Sequence, residues 1–243
     1  GDRTRCAWVT ALKFKIVVMA AVTGVLSAVA TAELLLSATE KNIRSVLMQA
    51  DIDDVQRTAE LLATKLEILQ SALGAVAGQV RPQMWSQPET MSRYLADKSA
   101  LGVLFDNVFA ARASGEMLAR VVSGKPSVEL PNIADRAYFQ QTLKTDQPVV
   151  SEPVIGKINK KPIVIISMSV LGSDGKVAGV VGGSLRLQAT SLLSDVTYLA
   201  REGRGRTLVM NRSGVLLAHT DSTRVMAHAT DEVGLATVYK RWS

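Results

Sequence analysis

Asn132-Ile133-Ala134-Asp135-Arg136-Ala137-Tyr138-Phe139 opens, and Gly179-Val180-Val181-Gly182-Gly183-Ser184-Leu185 closes, the stretch from which the fold of this chain is read. The opening octapeptide predicts a short helix over about 133–144 that carries an arginine and two aromatics. Behind it, Pro148–Ile155, Pro162–Leu171 and Lys176–Leu187 are β-rich apolar runs bounded by turn residues. The last two are joined by Ser173-Asp174-Gly175-Lys176, whose Asp-Gly pair suits a tight hairpin turn. An arginine and two aromatics set against a small antiparallel sheet outline a small-molecule pocket.

Working outward, Val103–Ala110 and Met117–Val122 are two further β-rich runs, separated by the turn signal Ala113-Ser114-Gly115-Glu116. Together with the three above, they predict a five-stranded antiparallel sheet with one inserted helix. Gln87-Pro88-Glu89 opens a helical piece reaching about Lys98, and Arg81-Pro82 ends a longer helix upstream, because proline lacks an N–H and restrains the residue before it. Along that longer helix, Val55, Ala59, Leu62, Leu66, Leu69, Leu73, Val76 and Val80 recur at alternating intervals of four and three. Such a seam serves either a dimerising stalk or a helix laying its stripe on its own domain. Both readings stay open in the sequence.

Ile16 through Ala32 carries no charge, and after Glu33 three more leucines follow, so Ile16–Leu36 is long enough to span a bilayer as a helix. Arg3, Arg5, Lys13 and Lys15 precede it and no basic residue follows until Lys41, which places the N-terminus in the cytoplasm. The rival is a signal peptide cleaved after Ala32, where Ala30-Thr31-Ala32 has the small-x-small pattern. The apolar run exceeds a signal peptide's usual length, which favours an uncleaved anchor. Either way, residues from about 38 onward are exported.

Downstream, Gln188–Leu199 reads as a linker helix. Thr207–Met210, the turn Asn211-Arg212-Ser213-Gly214 and Val215–His219 then repeat the strand-turn-strand grammar of residues 103–122. They look like the start of a second, smaller lobe left incomplete at Ser243, so the chain reads as a fragment.

Of 243 residues, 47% are hydrophobic and 21% charged, the range of a globular chain. The net charge of +6 lies at the two ends of the chain, with no motif for DNA or RNA, so nucleic-acid binding is disfavoured. Cys6 is the only cysteine and lies before the apolar segment, which leaves the exported part without a disulfide framework or thiolate metal site. His219 and His228 lack a third ligand at a metal-binding spacing. Asp51-Ile52-Asp53-Asp54 lacks the glycine and glutamate of a calcium loop, and Gly203-Arg204-Gly205 is no dinucleotide fingerprint. No nucleophile elbow, phosphate loop or zinc-protease motif is present. No catalytic set, metal or cofactor is expected.

On Asp135-Arg136-Ala137-Tyr138-Phe139, Val150-Ser151-Glu152-Pro153, Lys161-Pro162-Ile163-Val164 and Ser173 through Gly183, the chain resembles the double Cache family of bacterial extracytoplasmic sensor domains. The resemblance implies an α+β fold: a cytoplasmic tail (1–15), a transmembrane helix (16–36), a long stalk helix (38–80), a PAS-like membrane-distal lobe (81–187) built on the five-stranded sheet, and a linker helix with an incomplete membrane-proximal lobe (188–243). It also implies a small-molecule ligand, the bacterial inner membrane with a periplasmic sensor, a homodimer through the stalk, and a cytoplasmic output. A diguanylate cyclase (GGDEF) output comes first, ahead of a chemoreceptor or a histidine kinase. These 243 residues are then not an enzyme. An exported enzyme released after Ala32 and an oligomerising structural domain are the alternatives.

In amino-acid-sensing members an Arg-x-aromatic-aromatic pattern supplies the arginine that holds the ligand carboxylate, and here this is Arg136 with Tyr138 and Phe139. Forked guanidinium donors match a carboxylate. Read without the resemblance, Arg136 is a solvated helix residue near a cap formed by Asn132 or Asp135, and the two aromatics are core. Where such sensors have an ammonium-binding aspartate this chain has Ser184, and the tyrosine often found five residues before the arginine is Pro131. Both departures count against an ordinary α-amino acid and for a carboxylate-bearing or other small polar metabolite. The candidate ligand-binding set is Arg136, Tyr138, Phe139, Ser184, Asp135 and Asp106.

Overall fold

The computed structural model describes residues 53–187, 208–219, 221–231 and 234–242, with 33 and 49 as isolated positions. The predicted span Ile16–Leu36, the linker helix Gln188–Leu199 and most of the stalk before residue 53 lie outside them. Among the described residues no helix is long and apolar enough to cross a membrane. The chain divides into two units, residues 1–59 and 60–243. In the first, residues 53–59 are helical, and Thr58 Oγ1 donates to the Asp54 carbonyl.

In the second unit α1 covers residues 60–77. Its seam residues Leu69, Leu73, Val76 and, just beyond its end, Val80 are buried in one core with Met91 and Leu95 of α2 (Pro88–Ala96). Of the two readings of the seam, this part lies on its own domain. Tyr94 Oη donates to the Val76 carbonyl at 2.7 Å and ties α2 to α1. A 3-10 turn, Pro82–Ser86, separates the two helices at the predicted proline.

The sheet has seven strands: β1 (Asn107–Arg112), β2 (Met117–Val122), β3 (Lys125–Pro126), β4 (Val149–Val150), β5 (Val154–Ile155), β6 (Pro162–Leu171) and β7 (Val177–Arg186). Their order is β3-β2-β1-β7-β6-β4, with β5 also on β6 and every pair antiparallel. Four expectations need correction. The sheet has seven strands and not five, because Lys125–Pro126 adds an edge strand and one expected strand divides. The first strand begins at Asn107, because Leu101 and Phe105 are the buried residues while Val103 is 87% exposed, a helical period that makes Ser99–Leu104 α3. The run 148–155 is two strands: Ser151 N donates to the Ile165 carbonyl, but Pro153 has no N–H to continue the ladder. The inserted helix, α4, is only Ala137–Thr142. Before it, Asn132 Oδ1 accepts from Ala134 N and holds a turn instead of a helix.

Side chains alternate across the strands and give the sheet two faces. Val108, Ala110, Val164, Ile166, Val181 and Leu185 meet the helices. Phe109, Ala111, Ile163, Ile165 and Val180 form the second face with Met117, Ile133, Tyr138 and Phe139. The adjacent glycines of β7 are required on both faces. A Cβ at Gly182 would lie 2.4 Å from Phe109 Cζ, and one at Gly183 would lie 2.3 Å from Phe105 Cδ1.

Beyond residue 207, β8 (Val209–Met210) pairs with β9 (Leu216–Ala218), and α5 (Leu235–Trp242) follows. His228 is held in a turn by Thr230 and the Ser213 carbonyl, with its ring edge-on to Tyr239 at 5.3 Å. His219 Nδ1 accepts from Asp221 N. Both histidines therefore serve local turns.

Candidate ligand-binding site

The second face of the sheet carries a cavity of about 60 Å³. Asn107 and Phe109 of β1, Ile163 and Ile165 of β6 and Ser184 of β7 reach it because each lies on the same side of its strand. Met117 and Arg120 of β2 join them through an irregularity. Register shifts between Ala110 and Ala111, so one extra residue stands on β2 and positions three apart share a face. Over the sheet lie Ile133, Arg136, Tyr138 and the loop from Val154 to Asn159.

Arg136 is the extended N-cap of α4 (φ −84°, ψ 128°) and not a residue within the helix. This aims its backbone out of the turn, and its Nη2 donates to the Ile155 carbonyl at 3.1 Å. Among the described residues no carboxylate pairs with it. Tyr138 lines the cavity and is 8% exposed; burial, outweighing the nearby Arg136 cation, pushes its hydroxyl up to about 12.

Three of the sequence candidates lie elsewhere. Phe139 is 1% exposed and sits in the core beneath the cavity. Asp135 is exposed and accepts from Lys157 Nζ at 2.5 Å, a bond that holds its carboxyl below the usual range. Asp106 stands one residue outside the cavity. It accepts from Arg186 N at 2.7 Å, Nε at 2.9 Å and Nη2 at 2.6 Å, and the same contact holds the Arg186 guanidinium above its ordinary value. Arg136, Tyr138 and Ser184 are brought together around the cavity, with Pro131 at its edge. Ser184 is buried and its Oγ accepts from Asn107 Nδ2.

The sequence reading missed Asn107, Arg120 and Lys157, all of which line the cavity. Arg120 left one signal, a charge inside the apolar run Met117–Val122. Lys157 left none, since its loop comes over the sheet only when β5 pairs with β6. The charged lining residues are thus Arg120, Arg136 and Lys157, and no carboxylate lines the cavity. Such a lining attracts anions and offers no counter-charge to an ammonium.

An antiparallel sheet with helices on one face and a small, largely apolar cavity bearing three cations on the other is an architecture able to hold a small molecule. The chain belongs to the Cache domain family, whose dCache_1 description matches residues 27–238. No match was found among curated proteins. Solved structures with the same fold include the ligand-binding domain of the Pseudomonas aeruginosa amino-acid chemoreceptor PctC, in complex with GABA. It is 22% identical, with 72% of this chain and 77% of that one covered and a TM-score of 0.56. The sensory domain of the Campylobacter jejuni chemoreceptor Tlp3 with isoleucine bound is 17% identical over 81% of each chain, with a TM-score of 0.57. An extracellular ligand-binding receptor from Desulfohalobium retbaense is 16% identical over 77% of this chain and 33% of that one, with a TM-score of 0.63. At these identities the likeness is one of fold. Cache sensor domains bind ligands and are not catalytic, so residues 27–238 form a non-enzymatic region.

Proposed function

We propose that this chain is the extracytoplasmic sensor of a membrane-anchored bacterial signal transducer. Its cavity takes a small carboxylate-bearing metabolite with no required amino group, and Arg136 receives the carboxylate. One observation carries this reading: every charged residue lining the cavity is a cation, while buried Ser184 stands where an ammonium would need an acid. The span Ile16–Leu36 is the anchor, the sensor is periplasmic, and the stalk helix joins two copies. Ligand binding shifts the populations of two stalk arrangements and so reaches a cytoplasmic output. From the family resemblance, that output is a diguanylate cyclase, which the full coding sequence of the gene tests directly.

The ligand class is tested by thermal shift on the chain with a panel of organic acids and standard L-amino acids. Organic acids raise the melting temperature, and Arg136→Ala abolishes the rise while the apo domain stays folded. Tight binding of L-amino acids with no response to organic acids overturns the ligand class. An unchanged ligand response in Arg136→Ala moves the site away from Arg136.

A further inference from the structure

Arg136 alone satisfies the reading above, on which the following rests, and Arg120 is then unexplained. It stands on β2 opposite Phe109 of β1, its side chain is 11% exposed, and it lines the cavity. A guanidinium so far removed from water is stable only where anions or several acceptors meet it. Its contacts are the Ser127 hydroxyl at 2.9 Å and the Glu129 carboxylate at 3.6 Å, and both fall on Nη1. Glu129 is 61% exposed and beyond hydrogen-bonding distance. Among the described residues Nε and Nη2 meet no side-chain acceptor and remain for another. Asn107, diagonal to Arg120 on the neighbouring strand and on the same face, adds an amide whose first N–H is already committed to Ser184.

The cavity is therefore lined by cations from different parts of the fold. Arg120 rises from the sheet floor, whereas Arg136 and Lys157 come from the cap of α4 and from the loop after β5. Phe109, Ile165 and Tyr138 supply apolar wall. A monocarboxylate on Arg136 leaves Nε and Nη2 of Arg120 without an acceptor among the described residues. We propose that the ligand is a short dianion of the dicarboxylate class, with one carboxylate on Arg136 and the other on Arg120. The volume of about 60 Å³ suits a short chain between the two groups.

Titration calorimetry on the 243-residue chain in detergent tests this with malonate, succinate and glutarate against propionate, butyrate and valerate. The best dicarboxylate binds roughly tenfold or more tightly than its chain-matched monoacid, the scale of one added charge-assisted contact. In Arg120→Gln that ratio collapses towards one, and in Arg120→Lys the preference survives. Should Arg120→Gln not fold, loss of the preference in Arg120→Lys with raised salt reads the same charge. Monoacids binding as tightly as diacids, or an Arg120→Gln variant that keeps the ratio, overturns the dianion and leaves the carboxylate reading standing. If neither kind of acid binds, both fall.

Discussion

Gly182→Ala isolates the contact that holds the cavity floor in place. The backbone at Gly182 is not left-handed, so alanine itself is allowed there and would stabilise by about 0.4–1 kcal/mol through the unfolded chain. The added Cβ, however, would lie 2.4, 2.8 and 3.1 Å from Cζ, Cε1 and Cε2 of Phe109, where ordinary contact begins near 3.4 Å. Phe109 is 2% exposed, and a ring displaced by the added methyl moves toward the cavity it lines. Overpacking of this kind costs about 1–3 kcal/mol and outweighs the backbone gain. The net loss is about 0–2.6 kcal/mol, which at about 2–4 °C per kcal/mol lowers the melting temperature by up to about 10 °C. Urea denaturation of the four members of a Gly182→Ala, Phe109→Leu cycle measures it. With leucine at 109 the alanine becomes neutral or stabilising, a coupling expected only of residues in contact. A stabilised Gly182→Ala single variant, or an equal loss in both backgrounds, refutes the packing argument.

Two further outcomes follow from the electrostatics. Tyr138 ionises at 10.0 when exposed and near 12 in the fold, so the unfolded chain loses its proton first and stability falls as pH rises from about 10 to 12. The loss approaches about 2–3 kcal/mol, and Tyr138→Phe flattens that alkaline limb in denaturant midpoints; an unchanged limb refutes the assignment. Asp106→Ala removes all three acceptor contacts to Arg186. Allowing for the 43% exposure of the Arg186 side chain, this lowers stability by about 1–2 kcal/mol, and an unmoved urea midpoint would show that the pair is screened by water.

The parts legible in the sequence are those with local causes. Asp174-Gly175 marks the β6–β7 turn, where Gly175 has φ 74°, and Gly115 at φ 83° marks the β1–β2 turn. Arg81-Pro82 ends the long helix, and Pro88 opens the next. Val103–Phe105 was misread because a short apolar run fits both strand and helix, and only the burial of Leu101 and Phe105 decides between them. Asp106 is bonded to Arg186, 80 residues away, a pairing that no local pattern in the sequence displays.

By itself the sequence determined the family, the antiparallel hairpins, the buried stripe of the long helix and the presence of Arg136 and Tyr138 at one short helix. Tertiary structure alone decided which cations share the cavity. Arg120 faces it only because of the extra residue on β2, Asn107 meets Ser184 only through the β1–β7 register, and Lys157 arrives only when β5 closes on β6. Side chains on a strand alternate with a period of two, so a slip of one residue would send each strand-borne group to the opposite face. Register is a property of paired strands, and no single strand's residues contain it.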